Sequence, residues 1–412
     1  MHAMPTTQRW TAPGRPQRPG PAPAPAAARR NLWLSLPALV LASAVWMLWS
    51  AVVVQLPAAG FRYSSNQLFW LTALPGLSGA TLRVFHAFAV PLVGGRRFTA
   101  LATASLLLPA VGMGLALRDP STSYVWMLVL ALLCGLGGAN VAGMRQLGHL
   151  GLLGIPLVQL VVPLVVAVVV PLAAPSGGGS GPWLQNAGFV WVPLIAASAL
   201  AAWFGLDDRA EARASVAEQA VVFTRRHNWL MCWLHAGGFG SFIGFSAGLP
   251  LLLHGQFGGP GHAGAVHLAW AGPLLGVLAW PLGGWLAGRL GGGRVSLWAF
   301  TALAAGVLLL VPCLPGFTSA TGQEGSLPGV LALFALLFTA AGVAGGSTTR
   351  MVPAIFLAQH LQAAGPLPAA QAQARRQGGM EAAAVLGFAG ALGAYGGFFI
   401  PKGWGSAIAL TG

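Results

Sequence analysis

Charge is scarce in this chain. Only 7% of its 412 residues are charged, and Asp and Glu together number 7. Asp119, Asp207, Asp208, Glu211, Glu218 and Glu324 fall in polar connections, and Glu381 stands at the start of an apolar run. That leaves no pair of carboxylates for acid–base chemistry inside the apolar runs, and no nucleophile–base pair accompanies them. Cysteine is as sparse: Cys134, Cys232 and Cys313 lie within apolar runs at no metal-like spacing, so neither a disulfide framework nor a metal site is expected. His262 and His267 near a run end have no acidic or cysteine companion. An enzyme is therefore not expected, and no cofactor is implied.

What is present is apolar surface. Hydrophobic residues make up 56% of the chain, and the mean hydropathy is +0.72. No soluble domain hides so much, so the composition predicts an all-α polytopic membrane protein in a lipid bilayer. The 59 glycines suit helices that approach closely in lipid. The net charge of +14 is carried by arginines in short connections between apolar runs, a placement that excludes nucleic acid as the partner.

Residues 1–31, rich in Pro, Ala and Arg, are expected to form a disordered cytoplasmic tail. The first run, 32–56, is too long for a signal-peptide core and reads as a retained span. Eleven spans are predicted, at about 32–56, 67–94, 98–117, 122–144, 149–173, 184–205, 228–254, 263–288, 295–315, 328–350 and 381–400. With the N-terminus inside, inner segments hold seventeen of the arginines, among them Arg96, Arg97, Arg145, Arg225, Arg226, Arg289, Arg294, Arg350, Arg375 and Arg376. Outer segments hold only Arg62, Arg118 and Lys402. This asymmetry predicts an N-terminus on the cytoplasmic side of a bacterial-type inner membrane.

The polar stretch 206–227 reads as a cytoplasmic linker between an N-terminal half, 32–205, and a C-terminal half, 228–412. Each half repeats one feature. Gly94-Gly95-Arg96-Arg97 follows the second span, and a Gly-rich segment running from Gly288 through Arg289 to Arg294 follows the eighth. Matching inner loops indicate a duplicated transporter with its binding site near midplane between the halves.

One charge breaks the second span. Arg83 lies near the middle of the stretch Gln67–Arg97, far from either end. A buried arginine costs at least about 2.5–3.5 kcal/mol on insertion scales, so it should face a cavity and meet something negative. The apolar runs offer no carboxylate, which makes a transient anion the simplest partner. His86 lies one turn further on and is able to share that cavity.

Long strings carry a resemblance: QLFWLTALPGLSGATLR (67–83), PLVGGRR (91–97), QNAGFVWVPLIAA (185–197), GFGSFIGFSAG (238–248), GGSTTRMVPAIF (345–356) and AAAVLGFAGALGAYGGFFIPK (382–402). By these the chain resembles the nitrate/nitrite porters of the major facilitator superfamily, from about Trp33 to the end. The resemblance implies a twelve-helix fold that rocks around a small planar oxyanion, nitrate or nitrite, as its partner. It places Arg83 on the anion-binding arginine of helix two, where a planar guanidinium fork suits a flat oxyanion.

Departures accompany the likeness. A second family arginine, in an Ala-Arg-Pro context, is Trp280 here, and a family tyrosine is His235. The helix-five signature lacks its asparagines around Gly151, and helix ten offers Gly345, Gly346 and Ser347 without the usual asparagine. The inner-loop aspartate after helix eight is Gly288. A stretch that the family has between Met144 and Gln146 is absent, and a twelfth helix is not expected before Gly412.

The candidate substrate-binding residues are thus Arg83, His86, His235, Trp280, Gly151, Gly345 and Ser347, with Gly94, Gly95, Arg96, Arg97 and Arg289 as inner-loop gating residues. The function expected is secondary-active nitrate/nitrite transport by alternating access, by a monomer. The alternative is a transport-inactive or altered-substrate remnant of the same family, and the coupling is open between anion exchange and histidine-mediated symport.

Overall fold

A computed structural model describes residues 25–137, 148–172, 183–207, 226–258, 264–315 and 325–411. Helices account for nearly all of them. A polypeptide in hydrocarbon must satisfy every backbone N–H and C=O internally, which a helix does within one segment. The first group comprises α1 (Pro25–Trp46), α2 (Leu48–Val52), α3 (Ser65–Val93), α4 (Gly95–Ser105), α5 (Leu107–Ala116), α6 (Tyr124–Cys134), α7 (Gly148–Gly151), α8 (Gly154–Leu172), α9 (Asn186–Phe189) and α10 (Val192–Gly205). The second comprises α11 (Arg226–Phe257), α12 (Ala271–Leu290), α13 (Gly292–Leu310), α14 (Leu327–Ala364), α15 (Pro368–Ala394) and α16 (Gly396–Thr411). Among the described residues, nine helical stretches are long and apolar enough to cross a membrane, and Tyr124–Gly137 is a shorter apolar helix.

Glycine sets how closely these helices lie. A Cβ at Gly346 of α14 would overlap the Trp280 carbonyl oxygen of α12, and one at Gly283 would overlap the Val343 carbonyl in return. A Cβ at Gly76 of α3 would stand 2.5 Å from the Gly397 carbonyl carbon of α16. One at Gly396 would meet the Gly240 carbonyl of α11. Small residues thus bring backbone against backbone, which is how helices gain contact energy in lipid. Large buried rings, including Trp46, Trp49, Phe242, Phe334 and Phe338, fill the remaining interior.

Two junctions share one backbone conformation. Gly94, with φ 91° and ψ 147°, precedes α4; Gly291, with φ 88° and ψ 128°, precedes α13. Both values lie where only glycine sits without strain. These are the two Gly-rich segments that the sequence repeats.

Several boundaries differ from the sequence expectation. Helix α1 begins at Pro25, inside the expected tail 1–31, and the Arg30 guanidinium pairs there with Asp207. Helix α14 continues past 350 to Ala364, and α15 begins at Pro368, well ahead of 381. Leu357–Ala364 and Pro368–Arg376 are rich in Ala, Gln and Leu, strong helix formers whose polarity resembles a loop only on a hydropathy scale. Most of the linker 206–227 and the junction of the fourth and fifth spans lie outside the described residues.

Candidate anion site at the junction of the two helix groups

Arg83 is 5% exposed, although it belongs to one of the long apolar helices. Its Nη1 donates to the Gly390 carbonyl of α15 at 3.0 Å. A helical carbonyl keeps a second lone pair after its own ladder bond, so it can accept this donor. The guanidinium carbon lies 5.1 Å from the Trp46 ring centroid and 5.4 Å from that of Phe239. Desolvated cation–π contacts of this kind contribute up to about 2 kcal/mol. Four helices therefore hold one cation: α1, α3, α11 and α15.

Phe239 is the ring around which the site is assembled. His235, one helical turn before it, stacks on it at 5.8 Å and 17°. Trp280 of α12 meets Phe239 edge-on at 6.0 Å and His235 at 6.3 Å. Room for the indole comes from α14, since a Cβ at Gly345 would stand 2.6 Å from its six-membered ring. Arg83, His235, Trp280 and Gly345 are thus brought together.

The tautomer of His235 follows from its partner. Thr348 Oγ1 lies 2.9 Å from the Ala344 carbonyl and 3.0 Å from the Gly345 carbonyl, so its single proton is directed to its own helix. The imidazole Nδ1, 2.9 Å from the same oxygen, must then be the donor. In the neutral ring this leaves Nε2 as the acceptor.

The remaining sequence candidates lie elsewhere. His86 is half-buried and meets Phe98 of α4 edge-on at 5.2 Å. Ser347 donates to the Gly292 carbonyl at 3.1 Å and pairs with Ser296 at 3.0 Å, which engages it with α13. Gly151 packs on Leu39 of α1. Gly94, Gly95, Arg96 and Arg97 occupy the α3–α4 junction, and Arg289 lies over the Trp285 ring at 4.4 Å. His262 lies outside the described residues.

Sequence reasoning missed the partners that hold Arg83. Phe239 was legible in principle, because it follows His235 by four residues and so shares its helix face. Gly390 and Trp46 gave no local signal.

A series of contacts extends from Arg83 toward the start of α3. Thr81 Oγ1 bonds Tyr395 Oη at 3.0 Å, Gly76 abuts Gly397, and Lys402 Nζ donates to Asn66 Oδ1 at 3.0 Å. Lys402 also lies 4.8 Å from the Trp70 ring centroid. On α8, Gln159 Nε2 donates to the Ser246 carbonyl of α11 at 2.6 Å, a further tie between the groups. In the other direction, a Cβ at Gly387, one turn before Gly390, would meet no atom within 4 Å, while Val385 and Ala389 of the same helix stay buried.

This chain is 42% identical over 407 residues to the nitrate/nitrite transporter NarU of Salmonella typhimurium, covering 93% of this chain and 86% of that protein. It is 36% identical over 360 residues to the probable nitrate/nitrite antiporter NarK2 of Thermus thermophilus, covering 81% of this chain and 80% of that protein. No protein-family model matches. Among solved structures, a bacterial homolog of the human lysosomal transporter Spinster aligns with a TM-score of 0.58 at 14% identity, over 94% of this chain and 84% of that one. That likeness is one of fold, the major facilitator fold. The chain is therefore a multi-pass membrane transporter rather than an enzyme, and it belongs to the nitrate/nitrite transporter family.

Proposed function

We propose that this chain carries nitrate and nitrite across the bacterial inner membrane by alternating access, with the anion bound by Arg83 between two helical halves. The observation that carries this reading is the placement of Arg83. It is a buried charge inside a long apolar helix, and its guanidinium is held by Trp46 of the first helix group and by Phe239 and Gly390 of the second. An anion reaching this position meets the guanidinium at a contact between the two groups. Equal backbone geometry at Gly94 and Gly291 supports a duplicated architecture in which the halves rock about this site. The end away from Asn66–Lys402 is the arginine-rich one and is taken as cytoplasmic.

Charge balance favours exchange of one anion for another. Arg83 and one monovalent anion cancel, so an anion bound there leaves no net charge at the site, whereas without it the positive charge of Arg83 stays in the apolar interior. Trp280, walled in by His235, Phe239 and Phe242, contributes shape where the family resemblance places a second arginine.

The test is nitrate/nitrite counterflow in proteoliposomes of the full chain, with Arg83→Lys alongside. Lysine keeps the charge but loses the planar fork, and each oriented charge-assisted bond contributes about 1.5–3 kcal/mol. Exchange should therefore weaken in apparent affinity by roughly ten- to a hundredfold. A folded wild type that exchanges neither anion favours instead the transport-inactive remnant, a reading supported by the apolar Trp280 and by the engagement of Ser347 with α13.

A further inference from the structure

Lys402 is the only lysine in the sequence. It stands half-buried on α16, beside the first turn of α3. Its Nζ donates to Asn66 Oδ1 of α3 at 3.0 Å and to Ser406 Oγ of its own helix at 2.8 Å, and the Trp70 ring centroid lies 4.8 Å away. Among the described residues no carboxylate answers this charge. Asp207 pairs with Arg30, Asp119 accepts from the Ser121 N–H, and Glu381, only 4% exposed, lies 2.7 Å from His360. We propose that Lys402, Asn66 and Ser406 form an outer site for a small monovalent oxyanion, which holds nitrate or nitrite on its way to or from Arg83. The identity of the anion rests on the function proposed above.

The donors follow from the chemistry of the ammonium group. It carries three protons and no lone pair, so whatever bonds to it must accept. Asn66 therefore turns its carbonyl oxygen to Lys402 and keeps both amide protons for another partner, and the Ser406 hydroxyl proton points away from the lysine for the same reason. Neither group donates to another described residue. Both oxygens lie within 3.0 Å of one nitrogen, so a single small anion can span the outward protons with the charge directly behind them. Accepting from a cation also polarises each partner toward stronger donation. The backbone adds to this, because Asn66 lies in the first turn of the 29-residue helix α3, at its positive end. A lysine there is a cation against the like pole, and a bound anion removes that conflict.

The place of this cluster fits a waiting position. Lys402 and Asn66 belong to different helix groups, as do the residues that hold Arg83. Seventeen residues of α3, about 26 Å, separate Asn66 from Arg83. Between them Gly76 abuts Gly397 and Thr81 bonds Tyr395, so one interface carries a cation at two levels. The other cations expected on the outer side are placed differently: Arg118 lies over the Phe189 ring at 5.2 Å, and Arg62 is exposed. An anion held at Lys402 is concentrated at the mouth of the route to Arg83 before the two groups part.

With a single lysine in the chain, an amine-reactive ester followed by mass spectrometry of the Lys402 peptide reports on this site alone. The detergent-solubilised full chain is labelled with nitrate or with gluconate at equal ionic strength. Two charge-assisted bonds at a half-exposed site correspond to an affinity near about 1 mM, so about 10 mM nitrate should slow labelling roughly tenfold. Asn66→Asp keeps an oxygen for the ammonium but installs a resident carboxylate, and it should abolish the nitrate effect. Arg83→Gln, which removes the central cation, should keep it. Nitrate that protects no better than gluconate, protection unchanged in Asn66→Asp, or protection lost in Arg83→Gln overturns the proposal. In membrane vesicles of opposite sidedness, Asn66→Asp should raise half-saturation by nitrate roughly tenfold at the outer face only. An equal rise at both faces also overturns the proposal. Nitrate protection of Lys402 in a wild type that exchanges neither anion means that the transport reading has failed and the outer site stands.

Discussion

Gly345→Ala tests how the anion site is packed. The added Cβ stands 2.6 Å from two atoms of the Trp280 six-membered ring, whereas carbon atoms pack at about 3.5–4.0 Å. The indole must retreat by about 1 Å, and His235, Phe239 and Phe242 meet it edge-on along its way. Overpacking of this kind costs about 1–3 kcal/mol. Trp280→Phe removes the clashing atoms, so the double variant should recover much of that loss. The expected coupling energy is about 1–2 kcal/mol, from reversible unfolding of all four proteins in mixed micelles. Anion affinity in counterflow should follow the same pattern, because Phe239 contacts both the indole and Arg83. Effects that simply add, within about 0.5 kcal/mol, would refute the packing argument.

Other expectations are more local. Arg83→Lys weakens counterflow affinity by the factor derived above. Gly94→Ala and Gly291→Ala place a side chain in a glycine-only backbone region, each costing about 1–3 kcal/mol in unfolding. Gly293→Ala, which meets nothing within 4 Å, should be neutral or stabilising; equal losses at all three positions contradict the assignment. Lys402→Met removes the bond to Asn66 and the contact with Trp70, and amide hydrogen exchange over residues 62–70 should accelerate about tenfold. Unchanged exchange there would mean that Lys402 does not hold the start of α3.

Much of the fold was legible in the sequence because a bilayer leaves few choices. Long apolar runs become helices, and the predicted runs 67–94, 98–117 and 184–205 have helical counterparts in Ser65–Val93, Gly95–Ala116 and Asn186–Gly205. Arg83 was legible for the same reason, since one charge inside such a run requires an explanation. The errors came where helix and hydropathy part company. The polar helical extension before Glu381 turned an expected boundary residue into a buried one. Partners on distant helices were illegible: nothing local to Gly390 tells that its carbonyl will accept a guanidinium more than three hundred residues earlier in the chain. Ser347 shows the converse, as a motif position whose hydroxyl is engaged by a neighbouring helix.

The glycines that seat α16 carry a mechanical consequence. Gly396 lies against the backbone of α11, and its neighbour Gly397 against the backbone of α3. Most helix interfaces are cushioned by side chains that bend and change rotamer, and they yield gradually. Main chain on main chain has no such cushion, because dispersion contacts at this range fade within a fraction of an ångström. A small tilt of α16 therefore forfeits most of the contact at once, and partial opening has little to hold it. Such an interface works as a snap fastener rather than a spring: closed or open, with few states between.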